Sequence, residues 1–313
     1  FPYTTLFRSR AFLRHHRALA GVVLAHEGVD GLAGLAVAGV DAHRDDRQQR
    51  AAGVAQVTMV RPAVFNAFDE AMIAELDAVF AELCADPAVR VIVLAGEGRS
   101  FSAGADLTWM QRQGVASVEE NLADARRLAE LFRTLSTLAK PTIARVHGAA
   151  LGGGMGLAAA CDICVASDRA VFATSEVKFG IIPSAISPYV IRAIGERQAY
   201  RYFQTAERIS AARAREIGLV HEVTDSEGGL DPQIEAIVEA LLAGGPNAQA
   251  AATDLIRAVA NKPVTDDVVD DTARRIATLR ATPEAREGLS AFLDKRQAAW
   301  MVSAPAPNPT TGH

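Results

Sequence analysis

The stretch from Thr142 to Ala160, TIARVHGAALGGGMGLAAA, limits the fold more than any other part of the chain. Thr142 to Val146 is short, apolar and β-branched, and it follows Lys140-Pro141, so it reads as a buried strand. Small-residue turns follow, and Gly152-Gly153-Gly154 then opens a small-residue helix to about Ala160. A chain that stops on glycines at a helix start leaves backbone N–H groups unpaired. The helix dipole and the free amides together favour an anion or a developing oxyanion there. A glycine turn needed only for close packing gives the same local sequence, so both readings stand at this point. A nucleotide loop is excluded. GGGMG lacks the GxGxxG spacing, and no Lys-Ser/Thr pair follows it.

Composition narrows the function classes. The 313 residues suffice for one large domain or two. Half of them are hydrophobic and 22% are charged, as in ordinary globular proteins. A net charge of −5 leaves no basic footprint for nucleic acid. No apolar run approaches a membrane span: Leu19 to Val40 is rich in Ala, Gly and Val, but His26, Glu27 and Asp30 interrupt it. Of the three cysteines, Cys161 and Cys164 form CDIC, and no second pair completes a zinc site. They read as reduced core thiols, so no metal is expected and a cytoplasmic enzyme fits.

The N-terminus stands apart. Phe1 to Ser9, FPYTTLFRS, resembles the translation of a sequencing adapter and is set aside as an artefact. Residues 10–49 show no clean period and are assigned no element, so a chain beginning near Ala51 is expected to keep its stability and activity. From residue 50 the pattern alternates. Val54 to Val60 predicts a strand. Asp69 caps a helix with Met72, Leu76, Phe80 and Leu83 on one face, ended by Asp86-Pro87. Val89 to Ala95 is the near-continuous apolar run of a covered parallel strand. A glycine-punctuated loop, GEGRSFSAGAD, occupies 96–106, and a long helix is predicted from Glu119 to Ala139. Strands follow at Ile163 to Ala166 and Val171 to Thr174. This alternation predicts an α/β core over 50–190. A helical region is predicted over 191–302 and a frayed Pro-rich tail over 303–313.

Four segments taken together carry a resemblance: RPAVFNAF at 61–68, SFSAGADL at 100–107, GAALGGGMGLAAACD at 148–162 and FATSEVKFGIIP at 172–183. In this order they are similar to the crotonase family, the enoyl-CoA hydratases and isomerases, over about residues 52–301. The resemblance implies a crotonase-like spiral of ββα repeats with a C-terminal helical region, assembled as a homotrimer or homohexamer. It implies an acyl-CoA thioester substrate and no cofactor, since coenzyme A is part of the substrate. The family's oxyanion hole maps onto the N–H groups of Ala105 and Gly153. Two fixed donors there stabilise a thioester enolate, and losing one such donor typically costs about 10²–10³ in rate. Ala103, Asp106, Leu107 and Gly152 match positions around the thioester, with a loop cap as the other reading of Asp106.

Glu176 matches a catalytic glutamate, placed where burial would raise its pKa into the range useful for acid/base work. One departure stands out. Typical hydratases carry a second glutamate two residues after the glycine triplet, and here that residue is Gly156. A Δ3-Δ2 enoyl-CoA isomerase, which shuttles a proton with one base, is therefore the alternative to a hydratase, with a catalytically weak acyl-CoA-binding homologue behind both. ADLTWM at 105–110 and the SAISPYV segment look like the methylglutaconyl-CoA and carboxygeranoyl-CoA hydratase group of leucine and terpene catabolism. Trp109 is then an acyl-pocket wall or ordinary core, and Lys178 or Arg192 could pair with an extra substrate carboxylate. In the last helix, Phe292 and Lys295 match positions near the CoA nucleotide.

Overall fold

The computed structural model describes residues 53–301 and the backbone of two earlier strands, β1 (Gly21–Val23) and β2 (Ala38–Arg44). Both strands fall in the stretch to which sequence assigns no element; Phe1 to Ser9 and the tail over 303–313 lie outside the described residues. β2 pairs antiparallel with β3 (Val54–Met59), in register from Val40 opposite Met59 to Arg44 opposite Ala55. From β3 onward the large sheet is parallel. β4 (Val91–Gly96), β5 (Thr142–Val146), β7 (Ile163–Ser167) and β10 (Glu222–Thr224) follow in the order β1-β2-β3-β4-β5-β7-β10. A small second sheet joins β6 (Ala149–Leu151), β8 (Val171–Ala173) and β9 (Ile209–Ser210). The α/β part therefore does not end near residue 190, because β9 and β10 return to the two sheets. Each is three residues or fewer, too short to show a period.

Strand alternation sorts the core into two layers. In β4 every residue is buried, and successive side chains face opposite ways. Ile92 and Leu94 join the main core with Phe80, Leu131 and Phe132. Val91 and Val93 join Ile143, Val165 and three residues of α7 (Leu230–Ala243): Leu230, Ile234 and Val238. α1 (Glu70–Ala85) covers the first face. Asp69 Oδ1 caps it by accepting from Met72 N–H at 2.9 Å. α3 (Val118–Thr137) packs beside α1, opened by a capping box in which Ser117 and Glu120 satisfy each other's backbone N–H groups. Between them lies the short α2 (Leu107–Gln113), which sequence did not predict.

α4 (Gly153–Ala160) threads through the centre, nearly all buried. α5 (Ser187–Thr205) is two helical segments that meet at Gly195, whose φ of +75° and ψ of 157° are not helical. After α6 (Ala211–Glu216) and α7, the chain closes with α8 (Pro246–Val259), α9 (Asp266–Arg280) and α10 (Pro283–Leu293). α8 and α9 bury no residue fully, and α10 buries only Ala291.

Candidate active site

β6 ends at Leu151, and Gly152 donates its N–H to Ala173 O of β8 at 2.8 Å. That bond anchors the strand end and leaves the next amide, Gly153, at the first turn of α4. Among the described residues the Gly153 N–H has no hydrogen-bond partner, and neither does that of Ala105. The loop bearing Ala105 lies against the same turn: Ser102 donates to Ala149 O and accepts from Leu151 N–H, each at 2.9 Å. A Cβ on Gly104 would stand 2.9 Å from Leu151 O and 3.7 Å from Gly152 Cα, so the two loops touch through glycines. Ala105 is exposed and Gly153 half-buried.

Glu176 completes the group. It starts a 3-10 turn (Glu176–Phe179) just after β8. Its Oε1 lies 3.1 Å from where a Cβ on Gly152 would sit, which puts the carboxyl over the mouth of α4. The other oxygen, Oε2, is buried without a hydrogen-bond partner. Burial pushes the carboxyl above the usual carboxylate range, opposed only by its own backbone N–H. One acid of raised pKa beside two free amides can move a proton at a carbon whose neighbouring carbonyl becomes an oxyanion.

The other sequence-predicted residues divide. Gly152 and Ala103 lie in this group, both half-buried. Asp106 caps α2: Oδ1 accepts from Thr108 N–H at 2.9 Å and Trp109 N–H at 3.3 Å, and Oδ2 lies 3.4 Å from Arg61. Leu107 is exposed at the rim. Trp109 is buried in the main core, where its indole N–H donates to Asp124 at 3.3 Å. Phe292 and Lys295 are exposed on and just after α10.

Gly156, one turn along α4 from the amide, carries no side chain for a physical reason. A Cβ there would stand 2.2 Å from Ile186 Cγ2 and 3.0 Å from Phe132 Cε1. The volume a second carboxylate would need is apolar and full.

A cavity of about 510 Å³ lies elsewhere, at the C-terminal end of α4, between Asp162, Tyr189, Arg192, His221 and Arg257. An eight-residue helix separates the two ends by about 12 Å, so neither Glu176 nor the free amides face it. Arg192 lines this cavity, with its guanidinium over the Tyr189 ring.

Sequence reasoning passed over Asn66, Phe68 and Ile186. The motif RPAVFNAF was the available signal for the first two. Asn66 is fully buried in the left-handed region, and its amide donates to Glu97 O and Ser100 O at 2.9 Å.

Known proteins are similar to this chain in sequence and fold. Residues 49–302 match the enoyl-CoA hydratase/isomerase family. The crotonyl-CoA hydratase of Syntrophomonas wolfei is 34% identical over 243 residues, covering 76% of this chain and 90% of that protein. The 2,3-dehydroadipyl-CoA hydratase of Escherichia coli is also 34% identical, over 252 residues, 80% of this chain and 94% of that one. Among solved structures, an enoyl-CoA hydratase from Shewanella pealeana superposes with a TM-score of 0.78 at 42% identity, covering 80% and 94% of the two chains. The family match, the two relatives and the shared spiral of parallel strands converge: this chain belongs to the enoyl-CoA hydratase/isomerase family, the crotonases.

Proposed function

We propose that the protein is an enoyl-CoA hydratase acting at the pair of free amides beside Glu176. The carrying observation is the placement of the Glu176 carboxyl over Gly152, next to the Gly153 and Ala105 N–H groups. The thioester oxygen of a 2-enoyl-CoA sits between the two donors. Glu176, as the carboxylate, takes a proton from water while the water oxygen bonds to the β-carbon. The C2–C3 π pair moves toward the carbonyl, and the resulting enolate is held by the two amides. The same carboxyl then gives its proton to the α-carbon, so one water is added and the group returns to its starting state.

The filled space at Gly156 favours one alternative, a Δ3-Δ2 enoyl-CoA isomerase, since proton shuttling needs a single base. Supplying 2-enoyl- and 3-enoyl-CoA in ¹⁸O-water separates them. Hydration puts label on the β-hydroxyl; bond migration with no label would overturn the hydratase reading.

For the acyl group we propose 3-methylglutaconyl-CoA, on the sequence likeness of the ADLTWM and SAISPYV segments alone, since Trp109 itself is a core residue. Lys178, exposed two residues from Glu176, is the cation available for its second carboxylate. The test compares kcat/KM for this substrate and crotonyl-CoA in wild type and Lys178→Ala; equal losses on both would remove the assignment. We further propose a homotrimer or homohexamer. Ile256, Val264, Val269, Ile276, Phe292 and Leu293 are exposed on or between the last three helices, and the mass in solution decides. Unpaired Cys84, Cys161 and Cys164 suit a reducing compartment, and we place the protein in the cytoplasm.

A further inference from the structure

Phe68 bonds to the residues on both sides of Ala105 and packs its ring against Gly153. Its own N–H donates to Gly104 O at 2.6 Å, and its carbonyl accepts from Asp106 N–H at 2.7 Å. The two residues flanking Ala105 are thus held by one residue, in a parallel bridge of Phe68 with Ala105. Fixing the Gly104 carbonyl fixes the plane of the Gly104–Ala105 peptide, and with it the direction of the Ala105 N–H. The Phe68 ring meanwhile lies under α4. A Cβ on Gly153 would stand 2.2 Å from its Cε2 and 2.6 Å from its Cδ2. The ring is 1% exposed, so nothing but close packing holds it there.

The segment that bears Phe68 is itself tied down on both sides. Asn66 O accepts from Ser102 Oγ at 2.8 Å, and Phe65 O accepts from Ala103 N–H at 2.9 Å. The Arg61 guanidinium lies 2.9 Å from Asp69 and 3.4 Å from Asp106, and it donates to Ala67 O at 2.6 Å. These bonds make 61–69 a brace across the loop that carries one donor, while the Phe68 ring abuts the helix turn that carries the other.

We propose that Phe68 is the positioning residue that sets the spacing between the Ala105 and Gly153 amides, its backbone aligning one and its ring seating the other. It touches no reacting atom. The proposal rests on the oxyanion reading above. Donors serve only when they lie about 2.7–3.1 Å from the oxyanion, so a small error in their spacing costs rate rather than binding. Misplacement by about 1 Å can cost 10²-fold.

The test uses acetoacetyl-CoA, whose enolate shares its negative charge between the 3-keto and thioester oxygens and is read by its near-ultraviolet absorbance. Titrating the bound ligand gives the pH midpoint of enolate formation. In wild type this midpoint should fall below that of the free ligand. Phe68→Ala should raise it by at least about one pH unit and lower kcat for a 2-enoyl-CoA tenfold or more, with KM within about threefold. Phe68→Leu keeps the apolar bulk and the backbone bonds, folds where the alanine variant does not, and should fall between. A midpoint in Phe68→Leu or Phe68→Ala equal to that of wild type overturns the proposal, whatever happens to the melting temperature. A wild-type midpoint no lower than that of the free ligand instead overturns the oxyanion reading, and the proposal with it.

Discussion

Glu176 Oε1 lies 3.1 Å from the point where a side chain on Gly152 would begin, and Gly152 has a φ of +49° that disfavours one. The glycine thus gives the carboxyl a seat next to the Gly153 amide, and burial there keeps its pKa raised. Glu176→Gln keeps the size and removes the exchangeable proton. Turnover is expected to fall by about 10²–10⁴-fold with acyl-CoA affinity within a few fold. In wild type the acid limb of the pH–rate profile should lie above 4.5, the ordinary glutamate value. Stability carries the opposite sign. A raised folded-state pKa favours the native state below the unfolded value, and that advantage is lost as pH rises through the folded one. The glutamine variant should therefore gain on wild type in urea melts as pH climbs, and a constant difference across pH would contradict a buried carboxyl.

Glu75 makes the same argument away from the chemistry. It sits on the inner face of α1, 6% exposed, and its Oε2 has no hydrogen-bond partner. Burial, with Asp69 adding repulsion and Arg61 opposing, lifts its carboxyl from 4.5 to about 7. Wild type should lose up to about 3 kcal/mol relative to Glu75→Gln between pH 4.5 and the region above pH 7. Urea unfolding at pH 5 and pH 8 checks it, and parallel curves would place Glu75 in water.

The N-terminal strand carries a structural prediction. β2 covers β3 through five antiparallel pairs, so a chain starting at Ala51 leaves β3 as a bare edge. Exposed edges lose ladder bonds and invite association. That chain should melt more than about 5 °C below the full one, given roughly 2–4 °C per kcal/mol at this size. Equal melting temperatures would return residues 10–49 to the irrelevance their sequence suggests.

What could be read from sequence was whatever had a period or a fixed neighbour. β5 was predicted residue for residue, because a short β-rich run follows Pro141 and stops at His147-Gly148. α1 was announced by Asp69 and its apolar stripe. α2 was not, because its seven residues span barely two turns and expose Leu107 while burying Trp109. Glu176 and the glycine triplet were legible as motifs. Phe68 stood inside RPAVFNAF, but its part, like that of Ile186, depends on contacts with residues 30 or more positions away, which no local pattern encodes. β2 was obscured by its own sequence, AGVDAHR, in which Asp41, His43 and Arg44 interrupt the apolar pattern a strand flanked on both sides usually shows.

Gly156 tests whether that long-range packing decides the chemistry. Its missing Cβ is replaced by Ile186 Cγ2, 2.2 Å from where it would stand, with Phe132 Cε1 at 3.0 Å and the Tyr189 ring beyond. Ile186 and Phe132 are 3% and 0% exposed, so neither can swing into solvent. Gly156→Ala therefore forces an overpacked core and should cost about 1–3 kcal/mol. Adding Ile186→Ala to it makes room for one methyl and should recover part of that cost, a coupling that a double-mutant cycle reads directly. Gly156→Glu should be worse by itself, since it adds an unpaired buried carboxyl to the same clash. Introduced together with Ile186→Ala, the new acid has space. It then lies one helical turn from the Gly153 amide, near enough to Glu176 for each carboxyl to raise the other's pKa. The pH–rate profile of that double variant should show a second ionisation absent from wild type. If Gly156→Glu alone folds with wild-type stability, Ile186 is not what keeps this position a glycine.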